Sequence, residues 1–176
     1  MIYRGSTPIS PKQGKMSLSA LRLFFVSIVV LIGLSGLALP ARAEDFNRAF
    51  LVNADFSGKV LTDASFTKAN LRGANLNSSD LQGVSFFGAN LEDATLESAN
   101  LSFATLDSAR FVNANLKNAV LEGAFAFNAA FNGATIDGAD FTDVLMRDDM
   151  QELLCQVARG VNPTTGRSTR ESLACD

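Results

Sequence analysis

Between Asp45 and Met146 the chain counts in fives. Stepping five residues at a time from Phe46 meets Leu51, Phe56, Leu61, Phe66 and onward to Phe141, and 18 of the 20 residues met are Leu or Phe. The two exceptions are Ala126 and Ile136. A second series lies two residues earlier, from Glu44 to Ala139, and alanine fills 16 of its 20 positions. Residues between the two series are mostly polar, as at Asp55, Ser65, Asn70, Asn75, Asp80 and Asn90. The last two positions of each unit favour turn formers, as in Arg72-Gly73, Asn77-Ser78 and Asn132-Gly133. A helix cannot use this pattern. At about 100° per residue, each five-residue step would swing the apolar stripe by about 140° and smear it over every side. An extended segment can, because residues two apart point the same way. Each unit is therefore predicted to be a short extended edge followed by a corner. A chain that turns so often must coil, and its coils stack at about 4.8 Å through backbone hydrogen bonds. No coil can bury its own apolar side alone, so stability comes from the stack.

The unit reads Ala-(Asp/Asn)-Leu-x-x, and it is plainest in Ala-Asn-Leu at 69–71, 74–76, 89–91, 99–101 and 114–116. This resembles the pentapeptide-repeat family over residues 44–146. The resemblance implies an all-β solenoid, a right-handed quadrilateral β-helix with four pentapeptides per coil. About five coils follow, roughly 20–25 Å tall at the spacing between strands. On four faces, residues 20 apart stack. Phe87 and Phe127 then share one face with Asp107 between them, Phe125 lies on it in the other outward row, and Phe103 sits near the adjoining corner. These four phenylalanines are the candidate partner patch.

Two of the inner departures matter most. Lys59 stands where alanine is expected, and a buried unpaired ammonium is very costly. Its place in the first coil lets it snorkel out through the open end; a local bulge is the other reading. Ala126 leaves the centre of its coil short of volume. Either Phe125 or Phe127 turns inward to fill it, or both stay outside.

The first 43 residues follow another logic. Lys12, Lys15 and Arg22 precede an apolar run from Leu23 to Leu39, and Pro40 leads into Ala41-Arg42-Ala43. This reads as a signal peptide cleaved after Ala43, leaving no membrane span in the mature chain. The segment holds five of the 15 basic residues and none of the 18 acidic ones, so the remainder carries ten bases and 18 acids, a net charge of −8. Such a surface disfavours phosphate contacts with nucleic acid and suits a basic partner.

After Phe141 the repeat dissolves into a predicted cap over residues 147–176. Asp148 or Asp149 is the expected N-cap of a helix through residues 150–158, with Leu153, Leu154, Val157 and Ala158 as its apolar stripe. Gly160 stops it. Asn162-Pro163-Thr164-Thr165-Gly166 is a turn, and Ser168 with Glu171 has capping-box spacing for a second short helix reaching about Ala174. The end of a solenoid needs such a cover, because it exposes apolar side chains and open backbone edges. Both cysteines, Cys155 and Cys175, lie here, and in an exported chain they are expected to form one disulfide. The N-terminal coil has no visible cap, so the chain is expected to be a monomer or an end-to-end dimer.

The ending, through Leu154-Cys155, Ala158-Arg159-Gly160, Asn162-Pro163, Thr165-Gly166-Arg167 and Ser172-Leu173 to Cys175, is similar to that of pentapeptide-repeat proteins of the thylakoid lumen in cyanobacteria and chloroplasts. The resemblance implies a lumenal location in preference to the periplasm, and a cysteine pair that acts as the redox-responsive element. The short presequence fits a cyanobacterial type of precursor.

Chemistry is scarce. There is no histidine, which removes His-dependent triads and imidazole metal sites. No phosphate-cradling glycine motif and no C-x-x-C occurs. The outward acids lack the alternating spacing of a calcium loop. No catalytic residue, metal or cofactor is therefore assigned. The leading expectation is a non-enzymatic module or scaffold in the thylakoid lumen that binds an unknown protein partner. The alternative is a redox sensor in which reduction of Cys155–Cys175 changes cap stability and binding. An acidic DNA mimic is the remote alternative.

Overall fold

A computed structural model describes residues 44–175 apart from Asp63. The expected signal peptide and its cleavage after Ala43 lie outside the described residues. Parallel pairs join residues 20 apart, from Asp45 with Ser65 and Phe50 with Asn70 up to Phe125 with Leu145. Twenty residues are four units, so each coil has four sides and every wall is a stack of equivalent units. The first wall is centred on Phe46, Phe66, Phe86, Leu106 and Ala126. The second is centred on Leu51, Leu71, Leu91, Phe111 and Phe131. The third starts from Phe56 and the fourth from Leu61.

The backbone explains the composition of the unit. In the unit Ala69–Gly73, Ala69 N–H donates to the Phe66 carbonyl at 2.9 Å and closes the preceding corner. Asn70 N–H donates down to the Ala49 carbonyl at 2.9 Å, Leu71 N–H up to Asn90 at 2.7 Å, and Gly73 N–H up to Glu92 at 2.9 Å. One donor is left over, the Arg72 N–H, and the Asn70 side-chain oxygen accepts it at 3.3 Å. The same bond recurs from Ser57 to Asp55, Gln82 to Asp80, Glu92 to Asn90 and Lys117 to Asn115. The second residue of the unit is thus Asp or Asn because the ladder leaves its neighbour's amide without a partner, and an unpaired amide is expensive wherever water is excluded. The fifth residue takes a left-handed conformation, with φ of 57° at Asn53, 67° at Gly73 and 56° at Asn113. That is the third position of a type II turn, which favours Gly and Asn.

Inside, the Ala and Leu/Phe series are buried from Phe56 to Phe141. Phe46 stacks on Phe66 at 4.7 Å between ring centroids, Phe66 on Phe86 at 5.2 Å, and Phe111 on Phe131 at 5.1 Å. Lys59 is exposed in the first coil, with its ammonium 5.5 Å from the Phe56 ring centroid. The ladder continues through it, since Asp80 N–H reaches the Lys59 carbonyl at 2.8 Å; there is no bulge. Ala126 is buried, while Phe125 and Phe127 remain 44% and 50% exposed. Neither turns inward. Only part of the volume is returned within the coil. The coils around Phe66, Phe86 and Phe111 hold one phenylalanine and three leucines each. The coil of Ala126 holds two phenylalanines, Phe131 and Phe141, whose rings meet edge to face at 6.2 Å. Phe141 stands where the coils below it carry leucine, and it returns only part of the volume given up at Ala126.

The cap covers the last coil. Helix α1, Asp148–Cys155, begins two residues earlier and ends three earlier than the sequence pattern predicts. Its N-cap is Arg147, without a side-chain capping bond. Asp148 and Asp149 occupy the first turn instead, where their charge suits the helix dipole. Helix α2, Thr169–Ser172, follows Ser168 at its N-cap, but no side-chain capping bond forms there. Ser168 pairs instead with Val161 in an antiparallel bridge. Cys155 and Cys175 are joined as expected.

Candidate functional site

Asn162 fastens the cap to the coil. It is fully buried, and its amide nitrogen donates to the carbonyls of Asn118, Ala119 and Gly138 at 3.1, 3.1 and 2.9 Å. Its side-chain oxygen accepts the N–H groups of Thr164 and Thr165. Gly138 N–H donates to the Arg159 carbonyl at 2.8 Å. Gly160 packs so closely on Gly138 that an added methyl would meet its backbone. Asp140 is fully buried beside this joint. Burial alone pushes its carboxyl up. Hydrogen bonds from the Thr142 and Thr165 hydroxyls and the Thr142 N–H, together with the Arg167 guanidinium, outweigh that and hold it below the usual range. Arg167 bridges Asp140 at 3.2 Å and Glu122 at 3.0 Å. These groups satisfy one another and present nothing reactive outward.

Cys155 and Cys175 tie the two helices together, but not alone. Gln151 donates to the Leu173 carbonyl at 2.6 Å, Arg170 to the Cys155 carbonyl at 3.0 Å, and Ser172 Oγ receives Phe141 N–H at 3.0 Å. Leu154 and Leu173 are buried on the same core. A cleft of about 340 Å³ opens between the last coil and the cap, lined by Thr142, Asp143, Gln151 and Glu171 among others. Among the described residues no group of His, Cys, Asp or Glu could hold a metal ion. No described helix is long and apolar enough to cross a membrane.

The first wall is different. Phe87, Phe125 and Phe127 stand on its outer surface and are all exposed, as are Phe103 at the corner entering that wall and Leu145 directly above Phe125. Leu145 escaped the sequence reading, because it lies past the last full unit. The lower half of the same wall is a lattice of hydroxyls, in which Ser65, Thr67 and Ser85 bond in series. Phe103 holds φ of 59°, an uncommon conformation for a bulky side chain. Its ring lies against Gly123, where a Cβ would meet it at 2.7 Å. Glycine in the coil above makes room for the exposed ring.

The corner after Phe127 is also unlike the others. At most described corners the fifth residue's N–H donates up to a carbonyl, as Phe103 does to Glu122 and Gly123 to Thr142. Asn128 donates down instead, with its N–H and its Nδ2 both 3.0 Å from Asp107 Oδ1. Asn128 also lacks the positive φ of the other corners. The Phe127–Asn128 peptide is turned over, and Asp107 holds it there. Phe125 has no oxygen to receive the Phe127 N–H, but Arg110 and Val120 lack one too and their corners keep the ordinary form at Asn113 and Gly123; what sets this corner apart is the Asp107 carboxylate beneath it.

The pentapeptide-repeat pattern matches residues 45–83, 85–123 and 109–148 in eight copies. A crystal structure of a pentapeptide repeat protein from the Arabidopsis thaliana thylakoid lumen is 46% identical, covering 77% of this chain and 90% of that one with a TM-score of 0.71. A pentapeptide repeat protein from Nostoc PCC 7120 is 26% identical over 69% of this chain and 95% of its own, with a TM-score of 0.50. Two Arabidopsis proteins match over short segments. Thylakoid lumenal 15 kDa protein 1 is 61% identical over 41 residues, and thylakoid lumenal protein TL20.3 is 48% identical over 40. Those segments span 18% and 14% of the two relatives' lengths and 23% of this chain. Such structural neighbours form right-handed β-helices, and proteins of this kind are generally structural or interaction modules. With the repeat pattern covering most of the described residues and a solved relative aligned over nearly its full length, this chain belongs to the pentapeptide-repeat family.

Proposed function

We propose that this chain is a non-enzymatic interaction module of the thylakoid lumen, a right-handed β-helix of about five coils that binds a protein partner through the upper half of its first wall. The carrying observation is the cluster of Phe87, Phe103, Phe125, Phe127 and Leu145 on a surface whose other positions are mostly polar. Large exposed apolar patches mark interaction sites more often than isolated apolar residues do. A solid interior and a wall without a nucleophile–base pair fit binding rather than turnover. The lumenal location rests on the names of the similar proteins and on the reading of residues 1–43 as a cleaved signal. The cysteine pair enters as a structural staple, since three hydrogen bonds hold the same segment in place.

The test is cross-linked capture from the organism's own thylakoids, comparing the wild type with Phe87→Ser/Phe127→Ser, with and without reductant. A partner held in both redox states and lost in the variant supports the wall. A partner that ignores the variant, or is held only under oxidising conditions, refutes this assignment. Amino-terminal sequencing of the lumenal fraction should begin at Glu44; an intact Met1 in the cytoplasm would exclude the location.

A further inference from the structure

The proposed wall also carries a statement about what it binds, and this inference rests on that proposal. Asp107 lies in the column between Phe87 and Phe127, half-buried, one coil below Phe127. Its Oδ1 is used twice by Asn128, whereas its Oδ2 meets only the Ser108 hydroxyl at 3.3 Å. An ionised carboxylate offers about four acceptor positions, so Oδ2 retains capacity toward the outside. No cation pairs with it among the described residues, although Arg72, Arg110, Lys117, Arg147, Arg159 and Arg167 all pair with acids elsewhere. Asp143 stands above Gly123, in the column that begins at Phe103, and is exposed and outside every ion pair there. The nearest base by register is Lys68, one coil below Gly88 at the foot of the patch.

A carboxylate amid aromatic rings constrains the occupant. A second copy of the chain docking by the same wall would bring two acidic patches together and leave like charges desolvated, which is strongly unfavourable. An anionic lipid surface is repelled for the same reason. We infer that the wall takes a protein segment with one lysine or arginine flanked by aliphatic or aromatic side chains. The cation meets Asp107 Oδ2, and the flanking groups cover Phe103, Phe125 and Leu145 beside it and Phe87 and Phe127 in its own column. Asp107 then has two tasks: its Oδ1 fixes the corner that presents Phe127, and its Oδ2 recognises charge.

The experiment is peptide display against the immobilised, oxidised protein, followed by titration of the selected peptides by fluorescence anisotropy. Three variants are compared: Phe127→Ser, Asp107→Asn and Phe50→Ser. Asp107→Asn keeps an oxygen for Asn128 and removes only the charge. Phe50 is exposed on the second wall and serves as the control. Selected peptides are expected to carry a central Lys or Arg among apolar residues. Their affinity should fall about tenfold or more in Phe127→Ser and Asp107→Asn, weaken with added salt, and stay unchanged in Phe50→Ser. Peptides that need Phe127 but are uncharged, or that ignore Asp107→Asn, overturn the cationic partner and leave the wall proposal standing. Peptides that bind Phe127→Ser as well as the wild type, or no enrichment at all, overturn both. Phe127-dependent sedimentation with phosphatidylglycerol vesicles overturns the choice of a protein segment.

Discussion

Replacing Asn162 by alanine should loosen the cap by an amount that can be worked out bond by bond. Three carbonyls receive the Asn162 amide. The Ala119 carbonyl also receives Asp140 N–H at 2.9 Å and keeps that partner. The Asn118 and Gly138 carbonyls lose theirs, at about 1 kcal/mol or more each where water does not reach them. The turn through Thr164 and Thr165 loses both its bonds to Oδ1, which adds about 1 kcal/mol. The total is about 3 kcal/mol, equivalent to a fall in Tm of about 10 °C for a domain of this size. Because a solenoid melts from its ends when an end is weakened, hydrogen exchange is the sharper assay. The amides of Gly138, Thr164 and Thr165 should exchange faster, while Leu91 and Leu96 in the middle coils should not change. Asn162→Asp is the decisive companion. It keeps the acceptor for Thr164 and Thr165, loses the donors, and sets a negative charge against carbonyl oxygens. It should be at least as damaging as alanine. An aspartate variant as stable as the wild type, with Gly138 still protected, would refute the assignment of the amide as the fastener.

Three further outcomes follow from the packing and the electrostatics. Ala126→Leu should destabilise by about 1–3 kcal/mol through overpacking, and adding Phe141→Leu should recover only part of the loss, because it frees less volume than the new leucine takes; additive effects in a urea-melt cycle would show that the two sites do not share volume. Asp140 has its carboxyl held below its ordinary value near 3.8, so its contribution is complete above that pH and is lost only as pH falls through the lower folded value. The Tm gap between wild type and Asp140→Asn should therefore stay constant from pH 7 to pH 5 and narrow only in stronger acid; narrowing already at pH 6 would contradict it. Reduction of Cys155–Cys175 should lower stability by at most about 3 kcal/mol, the chain-entropy value for a loop of this size, and exchange at Phe141 should remain slow; full loss of protection there would restore the switch reading.

The five-residue register was legible in the chain because the code repeats the same local instruction, whereas the four sides followed from the resemblance to the family and the cysteine pair from the presence of two cysteines in a chain read as exported. What the code could not show are its exceptions. Asp107 reads simply as an outward acid, and only the ladder reveals that its carboxylate receives Asn128 and holds the Phe127 corner turned over. Asn162 reads as a turn residue before a proline, yet its amide reaches carbonyls 24, 43 and 44 residues away. Ala126 reads as a vacancy, and the partial compensation at Phe141 sits on another wall. The capping box at Ser168 has the right spacing, yet no side-chain capping bond forms there. Local patterns predict local structure. Competition for a residue by a distant part of the chain is decided only in three dimensions.

A four-sided coil of five-residue edges also makes length a quantised variable. Inserting or removing 20 residues adds or deletes a storey and leaves every wall aligned. A change of five leaves each unit well formed but rotates everything after it by a quarter turn. The stacked rings of Phe111 and Phe131 would part, and the aromatic surface would face another direction relative to the coils below. In this architecture a lineage can lengthen in whole storeys while its binding face keeps its bearing, whereas the smallest in-frame unit of the repeat is the step that redirects it.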